Sequence, residues 1–247
     1  MGKGSAEGVL ALAWQRLETS RWLSSCSAGV RASLRQIGRL RRFSKGEYVY
    51  RAGDPPGGVF GFVDGQIETL IPTLDGQEVV VHRANSGYWV GDLALFAGQK
   101  RLVSLRTITA VTAVQLPNDE IRELMAQQPS LVGDFYRMSH DNVAVTLALL
   151  GCLAVRGARN RVALRLLFQQ QLFSHSDDWV QIDQNSFAEL VSLSTQSVRR
   201  AFSELEAAGL IEIAYGKVRI ADRDGLAKLC GYTGRFEPYN SVAHASR

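Results

Sequence analysis

The chain has 247 residues, 46% of them apolar and 21% charged. At about 150 residues per domain that is room for one to two modest domains, and the composition excludes disordered, collagen-like and rod-shaped coiled-coil chains as global descriptions. Twenty-eight Lys and Arg against 24 Asp and Glu leave a net charge of +4, which permits an anionic partner without requiring one.

The longest nearly apolar run, Val143 to Val155, is 13 residues, short of the roughly 17 to 25 that cross a bilayer, so no membrane partner is expected. Cys26, Cys152 and Cys230 are odd in number and far apart, which argues for buried thiols in a cytoplasmic protein over a disulfide framework.

In chain order, Ala28 to Arg42 carries Val30, Leu34, Ile37 and Leu40 at helical spacing, predicting an amphipathic helix. From Phe43 to about Pro117 apolar and polar residues alternate in short stretches: Glu47 to Tyr50, Val59 to Val63, Glu78 to His82 and Val111 to Gln115. Glycines punctuate them, which predicts an all-β sandwich or barrel. After Pro117 the period turns helical, first through Asp119 to Gln127 and then, behind Pro129-Ser130, into a long helix. Along it Leu131, Phe135, Met138, Asn142, Val145, Leu149 and Cys152 alternate by four and three, the spacing of a two-stranded coiled-coil seam. Asn142 is its expected register pin. From Val143 onward the helix is apolar on nearly every side, so its other face is expected to lie on the β domain. Gly157 marks a hinge, a further helical pattern runs towards Gln171, and Thr233 to Arg247 reads as a loose tail.

The strongest motif follows. Asp183 or Asn185 can cap a short helix holding Phe187, Ala188, Leu190 and Val191; Ser192-Leu193-Ser194 turns, and Ser194 caps a second helix reaching about Ala208, giving helix, turn, helix. At 100° per residue Val198, Ala201, Phe202 and Leu205 share one side. Gln196, Arg199, Arg200 and Ser203 face the other way. Gln suits adenine edges and Arg suits guanine or phosphate oxygens, each through paired groups on a plane, so the second face has major-groove chemistry. Leu210 to Ala214 then alternates like a strand and turns at Tyr215-Gly216 into Lys217 to Ile220. This is a wing hairpin that brings Lys217 and Arg219 near phosphates. Ala158 to Gly231 holds nine Lys and Arg and nine Asp and Glu, so the expectation rests on placement, with Glu204 and Glu206 projecting away from the groove.

A glycine-punctuated β domain, a long helix and a winged helix-turn-helix, in that order, resemble the Crp/Fnr superfamily of bacterial transcription regulators over about Arg21 to Leu229. The residues that carry the resemblance are Lys45-Gly46-Glu47, Ala52-Gly53-Asp54, Val63-Asp64-Gly65, Gly91 to Phe96, Ser194 to Val198 with Arg200, and Ala208 to Ile211. It implies an α+β fold: an N-terminal cyclic-nucleotide-binding-like β jelly roll, a long dimerisation helix and a C-terminal winged helix-turn-helix. It also implies that Thr195, Gln196 and Arg200 hold base-reading positions. Thr195 stands where many members have Arg and Gln196 where many have Glu, so a different half-site is expected.

In members that bind cyclic AMP, the resemblance implies a Gly-Glu segment and an Arg-Ser pair as the pocket. The matching residues here are Gly91, Asp92, Arg101 and Leu102. Asp is a methylene shorter, and Leu102 removes a hydroxyl donor. Val143 and Ala144 replace the helix residues that contact adenine. Dependence on cyclic AMP is therefore not expected, and Arg101 is left to hold another anion or to solvate a loop beside Lys100. His82, His140, His175 and His244 lack metal-ligand spacing, no four-cysteine cluster exists, and no nucleophile or phosphate-cradling motif appears, so no metal, cofactor or catalytic residue is expected.

The expected organisation is an N-terminal extension over 1–20, an effector-type β-roll domain over 21–128, a dimerisation helix and hinge over 129–157, a winged helix-turn-helix over 158–232 and a tail over 233–247. The expected partners are an inverted repeat in double-stranded DNA, a second copy of the chain, RNA polymerase and an effector the sequence does not identify. The alternative is a β-roll that senses a small anion while the C-terminal domain contacts protein.

Overall fold

Gly58 to Asp64, with the β-forming Val59, Phe60, Phe62 and Val63, is buried through all but the last position, and the strand these residues form explains the N-terminal half of the chain. Successive side chains point to opposite faces, so Val59 and Val63 join one apolar cluster while Phe60 and Phe62 join another. The strand needs cover on both sides. The computed structural model, which describes residues 3–173, 179–182 and 184–232, supplies a second sheet on one face and helices on the other.

The elements are α1 (Lys3–Leu17), α2 (Arg21–Ser25), α3 (Ala28–Ile37), β1 (Arg39–Phe43), β2 (Tyr48–Tyr50), β3 (Gly58–Asp64), β4 (Ile67–Pro72), β5 (Glu78–Ala84), β6 (Trp89–Val90), α4 (Asp92–Ala97), β7 (Ser104–Thr107), β8 (Val111–Pro117), α5 (Asn118–Gln127) and α6 (Leu131–Ala154). One sheet has the order β1-β8-β3-β6 and the other β2-β7-β4-β5, all pairs antiparallel. The chain passes repeatedly from one sheet to the other, as a jelly roll requires. Phe60, Phe62, Ala113, Ile67 and Leu105 fill the space between the sheets. Gly61 is required by its neighbour across the strand pair, since a Cβ there would come within 2.5 Å of the Trp89 indole.

The chain divides into two compact units, one ending at Val143 and one beginning at Ala144. The second holds the end of α6 with α7 (Ala158–Phe173), β9 (Trp179–Gln181), α8 (Gln184–Val191), α9 (Thr195–Ala207), β10 (Ile211–Ala214), β11 (Lys217–Ile220) and α10 (Arg223–Cys230). Its three strands lie in the order β10-β11-β9. The helical core gathers Val162, Leu166, Phe187, Val191, Val198, Phe202, Leu205 and Leu226.

Four expectations are corrected. The helix predicted over Ala28 to Arg42 stops at Ile37, and Leu40 lies in β1, paired with Val114 of β8. The N-terminal extension is no appendage: Ala13, Trp14 and Leu17 of α1 enter the core that covers β3. There Trp14 and Trp22 pack on Trp89 with ring centroids 6.2 and 4.8 Å away.

The third concerns the proposed seam. Leu131, Phe135 and Met138 belong to the core of the first unit, and Val145, Leu149 and Cys152 pack with Phe168 and Leu164 of α7. The cover expected from the β domain over the second half of the helix is thus supplied by α7. Asn142 donates to the Trp89 carbonyl at 3.2 Å and to Asp92 Oδ1 at 3.0 Å, so it ties the helix to its own β domain. The apolar residues that stay exposed on α6 include Tyr136, Val143, Leu147 and Leu150. With exposed His140 and Ala154 between and after them, they repeat by four and three roughly 150° round the helix from the predicted stripe.

The fourth is the cap of α8. Asn185 lies inside that helix, where its Oδ1 accepts from Thr195 Oγ1 at 3.2 Å. Asp183 falls outside the described residues, as do His175, His244 and the 233–247 tail.

Because Trp14 is buried against the β sheet, Trp14→Ala is expected to lower unfolding free energy by about 3 to 5 kcal/mol in a urea titration followed by circular dichroism. A loss under 1 kcal/mol would show that α1 is dispensable to this core.

Candidate nucleic-acid interface

Helix α9 begins at Ser194, whose Oγ accepts from Ser197 N at 3.2 Å in the N-cap arrangement that satisfies an otherwise orphaned amide. Val198, Ala201, Phe202 and Leu205 are turned into the core, and the Phe187 and Phe202 rings lie 5.4 Å apart. That contact fixes α9 across α8. Gln196, Arg199, Arg200 and Ser203 are exposed together, and Thr195 is half-buried at the helix start.

Two arginines on this face are already held. Arg199 Nε donates to Gln184 Oε1 at 3.0 Å, and Arg200 Nε donates to Glu204 Oε1 at 3.0 Å. Glu204 therefore does not project away as expected, because at i+4 it stands one turn along the same face. It also helps line a cavity of about 390 Å³ with Gly157 to Asn160, Ser197 and Arg200. Glu206 does turn aside: its Oε1 accepts from Ile213 N on β10. The spacing of Arg200 and Glu204 was visible in the sequence and was the signal missed.

On the hairpin, Tyr215 is fully exposed at the turn, and Gly216 takes φ +69°. Lys217 Nζ lies 4.7 Å and Arg219 Cζ 5.3 Å from the Trp179 ring centroid, within cation–π range. Arg219 Nη2 also donates to Glu212 Oε2 at 2.5 Å. Its charge is thereby partly neutralised, which leaves Lys217 as the less engaged cation of the two.

The structure brings Gly91, Asp92 and Arg101 together on the β domain, where both Nη atoms of Arg101 and both carboxylate oxygens of Asp92 bond to the protein itself and Arg101 Nε is buried without a partner among the described residues. Arg101 is only 5% exposed, which excludes the solvated-loop role. Its Nη1 donates to the Gly91 carbonyl at 2.8 Å and its Nη2 to the Gly58 carbonyl at 2.6 Å, while the guanidinium sits 4.2 Å over the Tyr50 ring. Burial lowers its pKa from the ordinary arginine value. Gly91 adopts φ +112°, and a Cβ there would meet the Gly58 carbonyl at 2.7 Å. Asp92, 1% exposed, accepts from Asn142 Nδ2 at 3.0 Å and from Ser139 Oγ. Leu102 is 70% exposed and offers no side-chain donor.

Burial pushes the thiols of Cys26 and Cys152 up to about 11 each, so at neutral pH both are protonated and poorly nucleophilic. Among the described residues, no group of three or more His, Cys, Asp or Glu could hold a metal, and no helix is long and apolar enough to cross a membrane.

Residues 40–128 match the cyclic nucleotide-binding domain family and residues 160–229 match the Crp-like helix-turn-helix domain family. The chain is similar to the transcriptional activator protein anr of Pseudomonas aeruginosa, at 26% identity over 200 residues that span 79% of this chain and 82% of that protein. It is equally similar to the CRP-like cAMP-activated global transcriptional regulator of Mycobacterium tuberculosis, at 26% over 191 residues, 75% of this chain and 85% of that one. Among solved structures, FixK2 from Bradyrhizobium japonicum aligns with a TM-score of 0.70 at 16% identity, covering 78% of this chain and 97% of that one. A CRP/FNR-family transcriptional regulator from Thermus thermophilus aligns at 0.61 and 22%, covering 78% and 98%. The structural likenesses establish the jelly roll and the winged helix, the two domain families occur here in one chain in the same order as the two units, and the protein accordingly belongs to the Crp/Fnr superfamily of DNA-binding transcription regulators.

Proposed function

We propose that this regulator acts in the cytoplasm as a homodimer on an inverted repeat in double-stranded DNA, without catalytic activity and without a requirement for cyclic AMP. The observation that carries the reading is the outward face of α9, where Gln196, Arg199, Arg200 and Ser203 stand exposed above a core-packed opposite face. A planar amide matches the adenine N6 and N7 edge and a guanidinium the guanine O6 and N7 edge. Lys217 takes a phosphate, and Thr195, half-buried at the helix start, stands at the remaining base-reading position. Two such helices about 34 Å apart, related by a two-fold axis, fit successive major grooves of a palindrome.

The second copy is supported by α6. Tyr136, His140, Val143, Leu147, Leu150 and Ala154 are exposed at alternating four- and three-residue spacing, and the partner such a seam fits best is a helix with the same repeat. RNA polymerase is the further partner proposed, as the family resemblance implies. The domain organisation proposed is that of the sequence, with Ala13, Trp14 and Leu17 of the N-terminal stretch added to the core that covers β3.

Independence from cyclic AMP is supported by the internal partners of Asp92 and Arg101. Asp92 is engaged by Ser139 and Asn142, Arg101 by two carbonyls, and Leu102 brings no hydroxyl. A nucleotide would have to break those bonds, each to a buried charged group, before forming its own.

A selection from randomised duplexes is expected to enrich a palindrome. On that duplex Arg200→Ala is expected to lower discrimination at one base pair by about 1 to 3 kcal/mol, whereas Lys217→Ala weakens binding to every sequence and flattens the salt slope. Failure to enrich any sequence would sink the reading. Leu150→Glu, at a position 63% exposed, is expected to give a folded monomer by sedimentation, while Leu149→Glu, at one 8% exposed, lowers stability instead. A Leu150→Glu protein that stays dimeric counts against the seam. Millimolar cyclic AMP is expected to leave the melting temperature unchanged, and a rise of several degrees would refute the argument from Asp92 and Arg101.

A further inference from the structure

Both exposed arginines of α9 are held by the same atom. Arg199 meets Gln184 and Arg200 meets Glu204 through Nε, each at 3.0 Å, and no Nη atom of either donates to a protein acceptor among the described residues. A guanidinium is a rigid plane, so an acceptor fixed at Nε sets the direction of the Nη1 and Nη2 edge. That edge carries the paired donors which match guanine O6 and N7.

The Arg200–Glu204 pair has little reason to exist for stability. It is exposed, with the arginine side chain 84% accessible, and Arg preceding Glu by four is the weaker order for supporting a helix. A carboxylate on a face meant for DNA also repels phosphates, a cost that an orienting role would justify.

We infer that Glu204, and in the same way Gln184, is a positioning residue that holds a recognition arginine at Nε, so that its free edge reads a base instead of swinging to a neighbouring phosphate. The inference rests on the proposed base-reading role of Arg200 and adds residues that contact no DNA themselves.

The test uses the full-length protein and the duplex that wild type enriches from a randomised pool, together with single-base variants of it. Glu204→Ala is expected to lower discrimination about two- to fivefold, the range of an exposed pair's coupling, at the one base pair that Arg200→Ala identifies. Freed from its acceptor, Arg200 then adds a phosphate contact, so binding to mismatched duplexes tightens and the log–log salt slope steepens by about 0.9. Glu204→Gln keeps an acceptor oxygen and is expected to retain wild-type discrimination. If Glu204→Ala leaves discrimination and salt slope unchanged while Arg200→Ala does not, the positioning role is overturned. A uniform loss at all positions, with a lowered melting temperature, overturns it as well by assigning Glu204 to helix stability. If Arg200→Ala itself changes no base preference, the base-reading assignment fails and the positioning role falls with it.

Discussion

A carboxylate sealed from water has to be given hydrogen bonds, and the buried Asp92 side chain takes two of them from one helix. Ser139 and Asn142 both lie on α6 and both donate to it, while Asn142 also reaches the Trp89 carbonyl. Removing either donor leaves a buried charge short of a partner, an expensive condition in any protein interior. The long helix is therefore registered against the β domain by polar contacts that admit one alignment, whereas the apolar packing of Leu131, Phe135 and Met138 around it tolerates sliding. The short helix α4, which begins at Asp92, is tied to the same point. So is the strand pair that buries Arg101, through the Gly91 carbonyl.

The DNA-facing unit relies on a different economy. Between Ala158 and Gly231 basic and acidic residues are equal in number, so attraction to nucleic acid depends on where each group stands more than on bulk charge. Glu206 is committed to the hairpin backbone and Glu212 to Arg219, which takes two acidic groups out of general repulsion. Lys217 is propped on an indole face. The arginines of α9 are exposed and each is bonded through Nε. In a domain of this kind the placement of each cation, more than their number, has to set where phosphate contacts can form.

Most of this was legible in the sequence, and the reasons differ by element. The β strands announce themselves by alternation, and the two helices of the DNA-binding motif by a cap, a turn and one apolar side. The wing is plain from Gly209 and Gly216. What misled was α6. Its apolar residues cover more than half of the circumference, so a four-three repeat can be drawn on opposite sides of the same helix, and periodicity holds no information about which side the rest of the chain occupies. Burial decided it: the stripe with Leu131, Phe135 and Leu149 is internal, and the one with Leu147 and Leu150 is not. The N-terminal helix was hidden for a related reason. Its contribution to the core is three residues near its end, too few for a pattern. Leu40 satisfied helical spacing after Ile37 by coincidence, and only its pairing with β8 shows that the chain had already become extended.

Three of the four tryptophans, Trp14, Trp22 and Trp89, meet in one aromatic cluster of the first unit, close enough for their excited states to communicate. The fourth, Trp179, lies in the second unit under two cations of the wing. The molecule thus carries two separate optical reporters without any label. A single substitution of Trp179 by phenylalanine divides the emission between them, and light from the remaining indoles then follows the β-roll unit alone.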